Sequence, residues 1–167
     1  MLKKTSLIFF FISITFFNTH LSSSEKIYFI DLDFIYSSSV LGKELNNEIK
    51  KRSENLNKEI KKYENQIKEK KVKLNAQKNI LSEDEFKEKI NKLDADIKSM
   101  NSDISKKRKD LISFQNKLRK DFLEKLNKIL GEYVEQNSIN IIINKKNVVI
   151  GKKDLDLTKK ILELLNK

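Results

Sequence analysis

Leu45 to Leu81 reads LNNEIKKRSENLNKEIKKYENQIKEKKVKLNAQKNIL, and this stretch decides the fold. Ile60, Ile67, Leu74 and Leu81 recur every seven residues, and Ile49, Leu56 and Tyr63 form a second row three and four residues from the first. Almost everything between the rows is charged or amide. A narrow apolar seam of this period is a coiled-coil stripe. Ser82-Glu83-Asp84-Glu85 interrupts it: Ser82 and Glu85 fit an S-x-x-E capping box, and the acids suit the positive end of a new helix. The seam then resumes, with Ile90, Ile97, Ile104, Leu111 and Leu118 in one row and Leu93, Met100 and Phe114 in the other. With so short a connection the two helices fold back as an antiparallel hairpin, Ile60 near Ile104, Ile67 near Ile97 and Leu74 near Ile90. At 1.5 Å per residue the arm is roughly 60 Å long.

Two seam positions break the apolar rule. Lys70 falls opposite the neighbourhood of Leu93 and Lys107 opposite that of Leu56. A lysine stem can cover apolar surface while its ammonium reaches water. The pattern reads as a looser arm that tolerates bending; setting the register is the competing explanation.

Working outward, Lys26 to Leu32 (KIYFIDL) is rich in β-branched and aromatic residues and too short for a stable helix, so it reads as a strand. Asp31-Leu32-Asp33 ends that strand and starts the next helix, and Ser37-Ser38-Ser39 offers N-caps before the long helical stretch. Beyond the arm, Phe122, Leu126, Ile129 and Tyr133 carry a shifted and wider apolar stripe. The helix is expected to stop around Gln136-Asn137-Ser138, with Asn as a left-handed cap. Ile139 to Ile143 reads as a strand, Asn144 to Asn147 as a turn and Val148 to Ile150 as a short returning strand. Asp156 to Asn166 reads as a capped helix burying Ile161, Leu162, Leu164 and Leu165.

The fold class is therefore α+β: a long antiparallel coiled-coil hairpin arm, residues 44–128, inserted into a small β-containing head made of residues 25–43 and 129–167. A head so small, with no cysteine to staple it, is marginal alone. Its strands also leave open edges. Self-association through Ile27, Phe29, Ile141, Ile143 and Val149 is the expectation. Residues 1–24 read as a secretory signal: a basic start at Lys3-Lys4, an apolar run from Leu7 to Phe17 and small residues at Ser22 and Ser24, with cleavage expected before Glu25.

The full sequence has 35 Lys and Arg against 24 Asp and Glu, a net charge of +11. Between Lys43 and Lys128 there are 25 basic and 16 acidic residues, whereas the rest of the mature chain balances. The arm thus carries the excess, concentrated at Lys50-Lys51-Arg52, Lys70-Lys71 and Lys106-Lys107-Arg108-Lys109. Such clusters often only solvate a helix, but the asymmetry marks them as candidate sites for acidic chain segments or anionic membrane surfaces. Chemistry-bearing patterns are missing. His20 lies in the signal and there is no cysteine, so nucleophilic dyads and most zinc sites have no residues to build them. Gly42, Gly131 and Gly151 stand alone, with no phosphate loop. No cofactor, metal, catalytic residue or specific nucleic acid is expected.

The opening KIYFIDLDFIYSSSVLGKEL, the charged hairpin and the closing INIIINKKNVVIGKKDLDLTKKILELLN together resemble the Skp/OmpH family of periplasmic chaperones over the whole mature length. Ile27, Asp31, Gly42 and Lys43 are similar to the family's N-terminal pattern, and Asp156, Thr158, Leu165 and Asn166 to its closing element. The resemblance implies a periplasmic homotrimer whose heads build a β-barrel body, with three arms around a cavity. It implies that unfolded outer-membrane proteins are held there without ATP. An envelope coiled-coil scaffold, or a polyanion or membrane-surface binder, would share the signal and the hairpin. Binding that falls steeply with salt would mark the polyanion binder.

Overall fold

The computed structural model describes residues 26–167. The signal expected at 1–24, His20 included, lies outside the described residues. Strand β1 (Ile27–Ile30) leads into helix α1 (Leu32–Ser38), followed by α2 (Val40–Ala76) and α3 (Glu83–Gln136). Strand β2 (Ile141–Asn144), two 3-10 turns at Lys145–Asn147 and Lys153–Leu155, and helix α4 (Thr158–Leu165) complete the chain.

Local chemistry sets each boundary. Asp31 stops β1 and caps α1, its carboxylate accepting from the Phe34 amide at 2.9 Å. Ser39, the last of the serine run, is buried and caps α2 by accepting from the Gly42 amide at 3.0 Å. Gly42 has to be glycine: a Cβ there would lie 1.7 Å from the Tyr36 carbonyl oxygen. At the far end of the hairpin the capping box forms as the sequence suggests, the Glu85 amide donating to Ser82 and the Ser82 amide to the Glu85 carboxylate. The Ser82 hydroxyl, which donates to the Glu85 carboxylate at 2.7 Å, and then the Ser82 amide hold that carboxyl below its ordinary range. Helix α3 ends at Gln136, but the left-handed residue is Ser138, with φ 51°, and not Asn137. The Ile139 amide reaches back to the Val134 carbonyl at 3.1 Å, the longer bond of a Schellman ending, and Ile139 drops into the core.

Strands β1 and β2 pair in parallel, Ile27 beside Ile141 and Phe29 beside Ile143. The connection between them is the whole arm. The returning strand expected at Val148–Ile150 is not formed. The Asn144 side chain holds the Lys146 amide in the 3-10 turn, and the chain then swings outward, leaving Val149 at 102% and Ile150 at 92% exposure. The other edge of β1 is met instead by a single bridge at Asp156, with the Leu157 amide donating to the Phe29 carbonyl at 2.9 Å. β-Branched residues become a strand only where they pair with an edge, and Val148–Ile150 swings away without pairing with the outer edge of β2.

The core gathers residues far apart in sequence: Ile30 and Ile35 from the start, Phe122 and Leu126 from the base of α3, and Leu157, Ile161 and Leu165 from the end. The shifted stripe on α3 is therefore the point where the arm enters the core. Helix α3 has 54 residues to the 37 of α2, about 80 Å against about 55 Å, so α3 is both an arm helix and a head helix.

Candidate functional site

The arm is two helices thick, and the seam runs between them. Seam residues such as Leu56, Ile60, Ile67, Leu93, Ile97 and Ile104 are half-buried, whereas Leu118 near the head is buried and Ile90 near the tip is exposed. The two seam lysines prove to be cross-helix partners: Lys70 bonds Asp96, and Lys107 bonds Glu59. Lys89 donates to Gln77 at 2.9 Å, and the Arg52 guanidinium sits 3.5 Å from the centre of the Phe114 ring. All four contacts step equally along both helices and agree with the expected apolar pairing to within about half a turn. The hydrogen bond that Lys107 donates to the Glu59 carboxylate raises the Lys107 pKa above its ordinary value. Beside each ion pair the helices leave an open groove. One, of about 310 Å³, lies among Arg52, Leu56, Lys107 and Leu111, and the other, of about 290 Å³, among Lys70, Leu74, Lys89 and Leu93.

The candidate basic residues divide by their partners. Lys50 and Arg52 lie near Glu54 and Glu48 one turn away on their own helix, at 4.0 and 3.8 Å. Lys70 and Lys107 hold the hairpin together. Lys51, Lys71, Lys106, Arg108 and Lys109 are exposed, and none has a carboxylate within ion-pair distance among the described residues. Only part of each cluster meets: Arg52 and Lys107 line one groove, while Lys70 lies further out beside Asp96.

In the head, Ile27 and Ile141 are paired neighbours and both half-exposed, and Ile143 is partly buried. Phe29 is buried by its own chain. Its ring lies so close over Gly151 that a Cβ there would come within 2.7 Å of it, and the Lys145 ammonium is 5.9 Å from the ring centre. Lys145 also pairs with Asp156 at 2.8 Å. Asp156 accepts from the Thr158 amide and hydroxyl, while Thr158 accepts from the Asp31 amide at 2.8 Å. Burial pushes the Asp156 carboxyl up, but the Lys145 and Thr158 hydrogen bonds outweigh it, and the net shift is downward. The same partnership raises Lys145. The Asn166 side chain accepts from the Val40 amide at 2.9 Å. Asp31, Asp156, Thr158 and Asn166 thus tie together the two segments that flank the arm, while Gly42 packs within its own segment against Tyr36 and Ser39.

The seam reading overlooked four exposed aliphatic residues of the hairpin: Val72, Ile80, Ile112 and Leu123. They fall off the heptad rows, and that was their only signal in the sequence. Among the described residues, no group of three His, Cys, Asp or Glu side chains is arranged to hold a metal ion, and no helix is long and apolar enough to cross a membrane.

A long charged hairpin rooted in a small mixed head defines a class of coiled-coil-armed proteins, and the comparisons place the chain within it. The family model described as outer membrane protein (OmpH-like) matches residues 26–165. The chain belongs to the Skp/OmpH family. Among solved structures it is similar to an OmpH-like protein from Caulobacter crescentus CB15, described as a candidate outer membrane chaperone. The two share 15% identity over 84% of this chain and 83% of the other, with a TM-score of 0.78. No curated protein matches the sequence.

Proposed function

We propose that this protein is an ATP-independent periplasmic chaperone that holds unfolded outer-membrane proteins and keeps them from aggregating. The observation that carries this reading is the arm: a hairpin with basic excess that beyond its root in the head packs on itself, with five candidate Lys and Arg side chains left without carboxylate partners among the described residues. Fields from such an arm draw in acidic segments, and many weak contacts add up to retention. The protein binds and releases; it does no bond chemistry. Its relative from Caulobacter supports the chaperone class.

In this reading three copies join through their heads, and residues 1–24 direct export and are removed. The open edge of β2, the adjacent half-exposed Ile27 and Ile141, and the fully exposed Val149 and Ile150 support self-association. Val148–Ile150 then becomes a strand on association, when a neighbouring head offers it an edge. The unpartnered lysines also favour a second use of the arm, docking on an anionic membrane surface.

The test is dilution of a urea-unfolded outer-membrane β-barrel protein into buffer with the mature chain, followed by light scattering. Suppression near one client per assembled chaperone, without nucleotide, is the expected result. Client precipitation at the rate seen in buffer alone refutes the reading and favours an envelope scaffold.

A further inference from the structure

We infer that one flank of α3, formed by Arg108, Ile112, Arg119 and Leu123, is a contact strip for extended client segments that carry apolar and acidic side chains; this rests on the chaperone reading above. Ile112 and Leu123 are 56% and 38% exposed although both lie on the helix that forms the seam. They are eleven residues apart, three turns almost without remainder, so one stands above the other on the same face. Arg108 lies one turn before Ile112, and Arg119 one turn before Leu123. The unit Arg-x-x-x-aliphatic therefore occurs twice along one line.

Charge is sorted around this part of the helix. Ser105, Arg108, Ile112, Gln115, Asn116, Arg119 and Leu123 share the flank, and none is acidic. Asp103, Asp110 and Asp121 all fall roughly half a turn round, on the opposite side. Neither arginine has a carboxylate within ion-pair distance among the described residues. The seam does not use this flank, since its row at Ile104, Leu111 and Leu118 lies about a quarter turn away. A solvated helix face has no need of two aliphatic side chains. A face meant for a folded anionic surface has no need of aliphatic side chains alternating with its arginines.

Dimensions point to the occupant. The strip spans about 22 Å along the helix, the length of about seven residues of extended chain. In an extended chain alternate side chains on one face repeat every 6.5 to 7 Å or so, close to the helix step of about 6 Å between each arginine and its aliphatic neighbour. Strands of outer-membrane barrels alternate apolar and polar side chains over about ten residues. An unfolded segment of that kind can set apolar side chains against Ile112 and Leu123 and a carboxylate against a guanidinium, which binds it in bidentate fashion.

The experiment uses the complete mature chain. The affinity of a fluorescently labelled, urea-unfolded outer-membrane β-barrel protein is measured for the wild type, for I112S/L123S and for R108Q/R119Q, at low and high salt. All four positions are on the surface, so helix content and assembled mass are expected to match the wild type. The aliphatic pair should weaken binding about tenfold at both salt concentrations, the scale of one well-covered aliphatic contact. The arginine pair should weaken it at low salt and flatten its salt dependence. A photo-crosslinking residue in place of Asn116 should capture the client, while one in place of Asp103 should not, a contrast that does not depend on stability. Wild-type affinity in both double variants, or equal crosslinking from both positions, overturns the strip and leaves the chaperone reading standing. A wild type that binds no client overturns both. Retained client affinity with lost binding to phosphatidylglycerol vesicles overturns the strip in favour of a membrane contact.

Discussion

Phe122→Ala is the perturbation that most sharply probes how the arm is rooted. Phe122 is only 2% exposed, although it lies on the same continuous helix as the exposed tip. Its ring meets Tyr36 edge-on, centroids 4.8 Å apart and planes at 85°. Truncating a buried phenylalanine costs about 3–5 kcal/mol, of which the aromatic pair accounts for about 0.5–1.5 kcal/mol. A head of this size holds only a few kcal/mol in all, at about 0.05–0.15 kcal/mol per residue, so the loss is comparable with its whole stability. The chain has no Trp, and three of its four tyrosines, Tyr28, Tyr36 and Tyr133, border the core while Tyr63 lies in the arm, so in a Tyr63→Phe background tyrosine fluorescence follows the head while far-UV circular dichroism follows the arm. Urea unfolding at one fixed protein concentration should shift the tyrosine transition by at least 3 kcal/mol or so. Ile80→Ala, at a tip residue 80% exposed, should change stability by less than about 0.5 kcal/mol. Equal shifts from the two variants would refute a core shared between both chain ends and the base of α3.

Gly42→Ala should destabilise the head by about 1–3 kcal/mol in the same assay, because the added Cβ meets the Tyr36 carbonyl and the backbone must move. Asp156 has a lowered folded pKa, so its contribution is complete above the ordinary aspartate value near 4 and is lost as pH falls through the lowered value. Asp156→Asn should therefore be less stable than the wild type at neutral pH, with the gap closing below about pH 4 in acid-dependent thermal melts. Lys145, whose pKa is raised, keeps its share up to the ordinary lysine value and loses it only in strong alkali. Lys107→Leu completes the row of Leu93, Met100 and Phe114; thermal melts should show a more stable arm whose melting depends less on salt.

Much of this architecture could be read from residues alone, because a seven-residue period and a capping box are local signals. Ile60, Ile67 and Ile97 sit where their spacing puts them, and Ser82 with Glu85 turns the hairpin. What stayed hidden was set by partners distant in the chain. Val148–Ile150 has the composition of a strand, yet no edge in its own chain takes it. Ser138 adopts the left-handed conformation because the Schellman bond from Ile139 selects the residue after the cap, whatever the preference of Asn137. Lys70 and Lys107 looked like tolerated faults, but only the register of the folded hairpin reveals Asp96 and Glu59 opposite them. Of the basic candidates, spacing could not separate those that brace the hairpin from those that face water. The strip at Ile112 and Leu123 lay off the periodic rows on which the coiled-coil argument rested.

The central claim is a self-assembled head that presents arms to an unfolded client. The most direct measurement is the solution mass of residues 25–167 by light scattering, alone and after addition of an unfolded outer-membrane protein. Three copies alone, then three copies with one soluble client, is the predicted pair of results. A single copy in solution, or an assembly that leaves the client to precipitate, would contradict the account.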